Sequence, residues 1–548
     1  MCRRYFAQLE KFQRQEKNMK RSDTVLLKFG VMTDNHLADS FPQNALRTER
    51  VFALFKQHDV DAVVNCGDIA NRYQLEMLEL HNDIFKKVFS GDDKPEKLWI
   101  AAGHDVAGAE DKCSAYDEVA EILDSGGLNF VKEINGFVFI GISQEQPWHI
   151  LEDMLQKYYK NDTRPLFVIT HEPPFDTVLK SEYSFFKELR NILNKYPQVV
   201  SISGHTHSPV FLDRNIWQGE FTAVNAGSLF YWKDAPVGAA SRRLDSCDAM
   251  IFEIYDGKIV IRRFNMLSNE EIAPENPWIL PLPFDRENAP FVPEVRAERF
   301  PVPEFVSGEG FEIVFDGEPF SMAYCKIPEI LAVESFNNLR FELYEEQNGG
   351  MVNISVFDFC NDYRSDSDKS CVEIPVGLLK GNLNYHIKMT PFNLYGKAGK
   401  SFEFDFRTPA SALQELPFDR FEGILKEDGN IYQSEEFATS HDMEVIHIVL
   451  KNDLQKFKNE NIFTVIEIAS EHADTPAILM AHGDAPDYGR HYLLKGKTAV
   501  MRHSFDLKYI SGERLSVFLG EGTPGKYKIH DVKYYKIITQ PLTERTKK

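Results

Sequence analysis

Five apolar runs in the first half of the chain each break off into a polar loop, and every one of those loops carries an acid, a histidine or both. The runs span 25–32, 60–65, 98–102, 166–170 and 199–203. The loops are Thr33-Asp34-Asn35-His36, Gly67-Asp68, Gly103-His104-Asp105, His171-Glu172 and Gly204-His205-Thr206-His207. Short β-prone runs bounded by such residues read as strands. Between them, Met77, Leu78, Ile84, Phe85 and Val88 recur at helical spacing, as do Phe185, Phe186, Leu189, Ile192 and Leu193. The order is α/β, with polar loops gathered at the carboxyl ends of strands, where such folds place their sites.

Two dipeptides interrupt the alternation. Asn135-Gly136 separates 130–134 from 137–142, and Asp256-Gly257 separates 249–255 from 258–264. Both tolerate the positive φ angles of a type I′ turn, so each predicts an antiparallel hairpin. The expectation is a pair of mixed sheets packed face to face between helices. Trp148, Leu151, Met154 and Leu155 read as the apolar face of a core helix rather than a substrate platform.

Taken singly, each polar block is weak. A Gly-Asp after a strand is most often a turn, and a lone histidine usually finds a backbone partner. Five blocks at strand ends, holding five of the sixteen histidines, are not explained that way. Asp34 and His36, two apart just past a strand, turn toward one spot, as two ligands of one metal must.

The ordered set D-x-H, G-D, H-D, a lone His and G-H-x-H resembles the calcineurin-like metallophosphoesterase family, over about residues 24–265. Asn225-Ala226-Gly227-Ser228 is similar to the segment that follows the last block in that family. The resemblance implies a four-layer αββα sandwich and two metals bridged by Asp68. Asp34, His36 and His207 would hold the first, and His171 and His205 the second. It also implies that His104 touches the phosphate and assists departure of the alcohol, with Asp105 accepting its other ring N–H.

Imidazole with carboxylate suits Zn, Mn or Fe, whereas Mg or Ca favours oxygen ligands. Two such cations lower the pKa of a bridging water and clamp the non-bridging oxygens of a phosphoester. One departure stands out. Residues 101–105 read Ala-Ala-Gly-His-Asp, so Gly103 replaces, or a deletion removes, the Asn of the family's Gly-Asn-His-Asp block, an expected ligand of the second metal. A weaker or more hydrated second site and reduced activity are the expectation. Asn65 and Asn71 flank Asp68, but their spacing does not show that either stands in. Glu172 reads as a solvated loop residue in preference to a metal contact.

The formal charge of −21, from 62 basic and 83 acidic residues, argues against nucleic acid or an anionic membrane as partner. A phosphate-bearing substrate would need local cations, which bound metals supply. The seven cysteines show no CxxC spacing, so neither a disulfide framework nor a thiolate zinc site is expected. Residues 1–22 read as a basic N-terminal extension, with seven Lys or Arg and no apolar stretch of signal-peptide type. No stretch reaches membrane-spanning length. A cytoplasmic location is the expectation.

With 548 residues the chain needs several cores. The phosphoesterase-like domain is expected over 23–270. Eight prolines between 271 and 304 predict an extended linker, laid along the first domain through Trp278, Ile279 and Leu280. From 305 to 408 strand-like runs and turns predict an all-β sandwich whose last strands resemble a fibronectin type III domain. From 409 to 548 a second sandwich is expected, ending in a strand similar to the last of a jelly-roll carbohydrate-binding module. The leading functional expectation is a binuclear metallophosphoesterase acting on a small phosphomonoester or diester, glycan- or lipid-linked phosphoesters among the candidates. The alternative is a degenerate phosphoesterase that binds a carbohydrate or surface through its β domains.

Overall fold

In a computed structural model, the structure describes residues 24–305 apart from 92–93, 161–162, 182–186, 234–241 and 244–245. Beyond 305 it describes the strands named below and parts of their connections. The chain divides into two compact units, one reaching through Arg296 and the other carrying the C-terminal half.

The first unit opens with β1 (Val25–Met32), α1 (Gln43–Gln57), β2 (Ala62–Asn65), α2 (Leu75–Val88), β3 (Glu96–Trp99) and α3 (Lys112–Leu123). A second run follows: β4 (Asn129–Ile134), β5 (Phe137–Ile142), α4 (Trp148–Tyr158), β6 (Leu166–Ile169), α5 (Lys187–Leu193), β7 (Val199–Ser203), β8 (Ile216–Gln218) and β9 (Thr222–Asn225). Phe185 and Phe186, expected in the helix that begins at Lys187, lie outside the described residues. After the short pair β10 (Trp232–Lys233) and β11 (Arg242–Arg243), the chain returns through β12 (Asp248–Tyr255) and β13 (Lys258–Asn265).

Two mixed sheets result. One runs β14-β13-β12-β1-β2-β3, and the other β4-β5-β6-β7-β9-β8. Here β14 is Glu270–Ile272, and β15 (Trp278–Pro281) also pairs with β13. The proline-bearing segment expected as a linker thus closes one edge of the first sheet. Pro274 and Pro277 fall between these two edge strands and Pro281 ends the second, while Pro293 opens a short helix, Pro293–Arg299.

Three buried clusters define four layers. Val51, Phe52 and Phe55 of α1 pack with Leu78 and Phe85 of α2 on the outer face of the first sheet. Leu151, Leu155 and Leu189 from α4 and α5 cover the second sheet. Between the sheets, the Phe29 ring meets Phe139 and Phe167 edge-on at 5.2 and 5.0 Å and stacks on Phe252 at 4.8 Å. Burying such aromatic side chains contributes on the order of 2–3 kcal/mol each.

Register puts the motif loops at one level. Met32 pairs with Asn65 and Asn65 with Trp99 across the parallel strands β1, β2 and β3. Ile169 pairs with Ile202, and Ser203 with Asn225, across β6, β7 and β9. The β4–β5 turn has the expected shape, with Asn135 at φ 51° and Gly136 at 81°. The β12–β13 turn does not: only Gly257, at 91°, crosses to positive φ, so Asp256 stays on the ordinary side and the turn is not type I′.

The second unit is antiparallel throughout its described strands. A four-stranded sheet, Gly350–Cys360, Phe336–Gln347, Asn384–Asn393 and Phe402–Arg407, shares a core with the sheet formed by Glu312–Asp316, Met322–Ile327 and Val372–Gly377. Further on, Lys526–Ile537 pairs with Ile462–Ser470, Leu413–Leu416 and Glu436–Ala438. Glu444–Val449 pairs with Arg514–Leu519. Among the described residues no helix is long and apolar enough to cross a membrane.

One buried side chain ties the helical layer to the strand ends. His81 of α2 is fully buried against Trp99, accepts from Asn65 Nδ2 at 3.3 Å, and is held by burial down to about 3. The unfolded chain therefore takes up this proton first. The stability due to neutral His81 is complete above about pH 6.5 and falls toward pH 3, by at most about 1.4 kcal/mol per pH unit. All five tryptophans lie in the first unit, so their fluorescence follows its unfolding. Between pH 7 and 5 the urea midpoint is expected to drop less in His81→Gln than in the parent protein.

Candidate metal centre

The strands supply the level, and the backbone then makes tight turns out of them. Asp34, His36, Asp68, His205 and His207 all adopt positive φ, between 46° and 68°. Asp and His tolerate that region better than most residues, but it still costs on the order of 1 kcal/mol or more each. All five lie two to four residues past a strand end, and four of them, all but His205, turn their side chains inward.

The side chains converge. Asp34 Oδ1 lies 2.9 Å from His207 Nε2 and 3.8 Å from His36 Nε2, and those two nitrogens are 3.4 Å apart. Asp68 Oδ2 lies 3.2 Å from His171 Nε2 and 3.9 Å from His36 Nε2. Three overlapping sets fall within 4.8 Å: Asp34, His36 and His207; His36, Asp68 and His104; Asp34, Asp68 and His171. All of these except His104 are buried.

Hydrogen bonds on the far side of each ring determine which nitrogen faces inward. Nδ1 of His207 lies 2.8 Å from Tyr231 O, that of His171 2.9 Å from Cys66 O, and that of His36 3.2 Å from Asn71 Oδ1. Carbonyl oxygens only accept, so each Nδ1 carries hydrogen, and whenever the ring is neutral its Nε2 lone pair faces inward. The inward-facing atoms are then lone pairs and carboxylate oxygens, and Asp34 Oδ1 is buried without a hydrogen bond. Such a set repels itself unless positive charge stands in it.

The titration behaviour says the same. Burial disfavours the Asp34 and Asp68 anions, yet the His207 and His171 charges respectively outweigh it and hold both carboxyls well below the usual range. Burial also works against charging His171, but Asp68, Asp34 and Glu172 prevail and raise it to about 10. A proton or a metal cation satisfies this demand, and mixed imidazole and carboxylate donors fit Zn, Mn or Fe.

The remaining expected residues take different places. His205 is exposed, its ring edge-on to His171 with centroids 5.2 Å apart, and its backbone N–H donates to Asp34 Oδ2 at 3.0 Å. It is in none of the three converging sets. His104 donates its backbone N–H to Asp68 Oδ1 at 3.0 Å, while its ring Nδ1 meets Asn71 O at 3.0 Å. Asp105, expected to orient that ring, does not touch it. Its two oxygens accept from Ala70 N at 2.7 Å and Ala102 N at 2.9 Å, splicing two loops together. Burial and the nearby Asp68 charge push Asp105 up to about 7, against the pull of those amides. Glu172 is not simply solvated, because it accepts from Gln144 Nε2 at 2.6 Å.

Several contributors carried no sequence signal that assigned them. Asn71 holds His36 by its side chain and His104 by its carbonyl. Asn225 donates to Gly204 O and accepts from Thr206 Oγ1 and Gly227 N, bracing the loop of His205 and His207. Its place in the Asn225-Ala226-Gly227-Ser228 segment was the one available pointer.

Residues 27–209 match the family described as Calcineurin-like phosphoesterase, and this stretch forms a calcineurin-like metallophosphoesterase domain. Among solved structures the chain is similar to a dimetal phosphatase from Danio rerio, at 10% identity and TM-score 0.34, covering 45% of this chain and 99% of that one. It is also similar to GAP50, the anchor in the inner membrane complex of Plasmodium, at 15% identity and TM-score 0.33, over 50% and 93% of the two chains. A third is purple acid phosphatase PPD1 from yellow lupin (Lupinus luteus) seeds, at 14% identity and TM-score 0.31, over 44% and 52%. No curated protein matches the chain.

Space at Gly204 controls the aim of Asp34. A Cβ there would lie 2.0 Å from Thr33 Oγ1 and 2.5 Å from Asp34 Oδ2. Gly204→Ala is expected to lower stability by about 1–3 kcal/mol and to reduce the metal retained after dialysis, read by denaturant melts and elemental analysis.

Proposed function

We propose that this domain is a metal-dependent phosphoester hydrolase with two metal sites sharing Asp68. In this reading Asp34, His36 and His207 hold one ion, and His171 with His205 holds the other. The observation that carries it is the buried gathering of inward-facing acceptors, with His36 and His207 Nε2 only 3.4 Å apart beside the unbonded Asp34 Oδ1. Bound Mn, Fe or Zn would supply an activated water and charge stabilisation for an in-line displacement at phosphorus.

The chain's own part is positioning and proton handling. His104 is exposed at the rim, and its Nδ1 is committed to Asn71 O, which leaves Nε2 as the end that meets a phosphoryl oxygen or the leaving alcohol. Its backbone bond to Asp68 fixes its distance from the shared carboxylate. Asp105 acts one step back, by bracing the loop rather than the ring. Regions 305–408 and 409–548 we read as fibronectin type III-like and jelly-roll-like sandwiches that serve substrate docking or assembly. The substrate class is a phosphomonoester or diester, glycan- or lipid-linked esters included.

The roles separate by mutation. Asp68→Ala is expected to lose both metals and all hydrolysis of a bis-aryl phosphate supplied with Mn or Zn. His104→Ala is expected to keep both metals and lose about 10²–10⁴-fold in kcat, the range for a general acid. Elemental analysis alongside the rate assay decides it, and equal metal loss in the two variants would contradict the assignment.

A further inference from the structure

Gly103 has no side chain, and the space beside it is filled from another loop. Gly103 N donates to Gln144 Oε1 at 2.5 Å, and a Cβ on Gly103 would lie 3.0 Å from that same oxygen. The other end of the amide is committed as well, since Gln144 Nε2 donates to Glu172 Oε1 at 2.6 Å. An N–H on one side and a carboxylate on the other leave one orientation for this amide.

The main chain repeats the connection. Gln144 N donates to Ala101 O at 3.0 Å, and Ser143 Oγ accepts from Ala101 N at 3.0 Å. Glu145, the next residue, sits at φ 64° and pairs with Lys112 at 2.9 Å. A glutamate in that backbone region is uncommon. Four successive amides, 101 to 104, thus donate to side-chain oxygens of Ser143, Asp105, Gln144 and Asp68. Two members of that row reach on to the His171 loop: Asp68 to the His171 ring, and Gln144 to the neighbouring Glu172.

We propose that Gln144 is a positioning residue of the metal centre. Its amide occupies the place beside Gly103 and, through Glu172, sets the His104 loop against the His171 loop. The inference rests on the metal-centre reading above. Two consequences follow from the geometry. A side chain at 103 and the Gln144 amide compete for one space. Removing the amide loosens the His171 loop, whereas the Asp34, His36 and His207 side keeps its partners at Asn71 and Tyr231.

The test is calorimetric titration of metal-free protein with Mn²⁺, together with the melting temperature of the metal-free form, for the parent, Q144A, G103N and Q144A/G103N. The parent is expected to show two sites. Q144A is expected to weaken one about tenfold, the size usual for lost support of a metal ligand, and to leave the other unchanged. Its metal-free melting temperature is expected to stay within about 2 °C of the parent. G103N is expected to weaken binding in the parent, yet to return part of the lost affinity when combined with Q144A. Should Q144A not fold, Q144N keeps the amide but shortens its reach, and the same selective loss is expected. Unchanged binding at both sites, or equal weakening of both with a fall in melting temperature, would overturn the proposal. A parent protein that binds no Mn²⁺ would instead overturn the metal-centre reading itself.

Discussion

A carboxylate sealed among imidazoles, with one oxygen left without hydrogen, is the constraint on which this end of the protein depends. Asp34 is fully buried, and its Oδ2 is satisfied by Thr33 Oγ1 at 2.7 Å and His205 N at 3.0 Å. Oδ1 faces only the inward nitrogens of His207 and His36. A buried charge with no countercharge costs several kcal/mol, so the arrangement is stable only when positive charge stands opposite it. Neighbouring backbone keeps the geometry in place, with Leu229 N bonded to Thr33 O at 3.1 Å and Gly204 too close for any larger residue.

The strain of five left-handed residues is carried by the two sheets beneath them. Strands that end in register give each loop the same starting height, and the aromatic layer between the sheets prevents one sheet from sliding on the other. Below the loops, Asn65 links Asn35, Gly67 and His81, so the floor of the site and the helical layer form one hydrogen-bonded piece. The rigid part of the molecule thus sets the distances among the candidate ligands, and the loops have little freedom to change them.

Much of this was legible in the sequence because the signals are local. A strand ending in Asp-x-His or Gly-His-x-His announces both the element and the direction of its side chains, and Asp34, His36, Asp68, His171 and His207 do meet. Less legible were features decided across long separations. His104 finds its partner in Asn71 O, 33 residues away, rather than in adjacent Asp105, because a short 3₁₀ turn at 104–106 aims Asp105 back at the amides of Ala70 and Ala102. Gln144 reaches Gly103 across 41 residues and leaves no local pattern. The proline-rich stretch after 271 reads as a linker from composition alone, yet Trp278 and Leu280 alternate into the core and make it an edge strand.

The most direct test is anomalous scattering from a crystal of the protein grown with Mn²⁺, recorded near the manganese edge. Two peaks are expected, one enclosed by Asp34, His36 and His207, the other beside His171, with Asp68 between them. A crystal with no peak among these residues, or with manganese bound only elsewhere on the surface, would contradict the account.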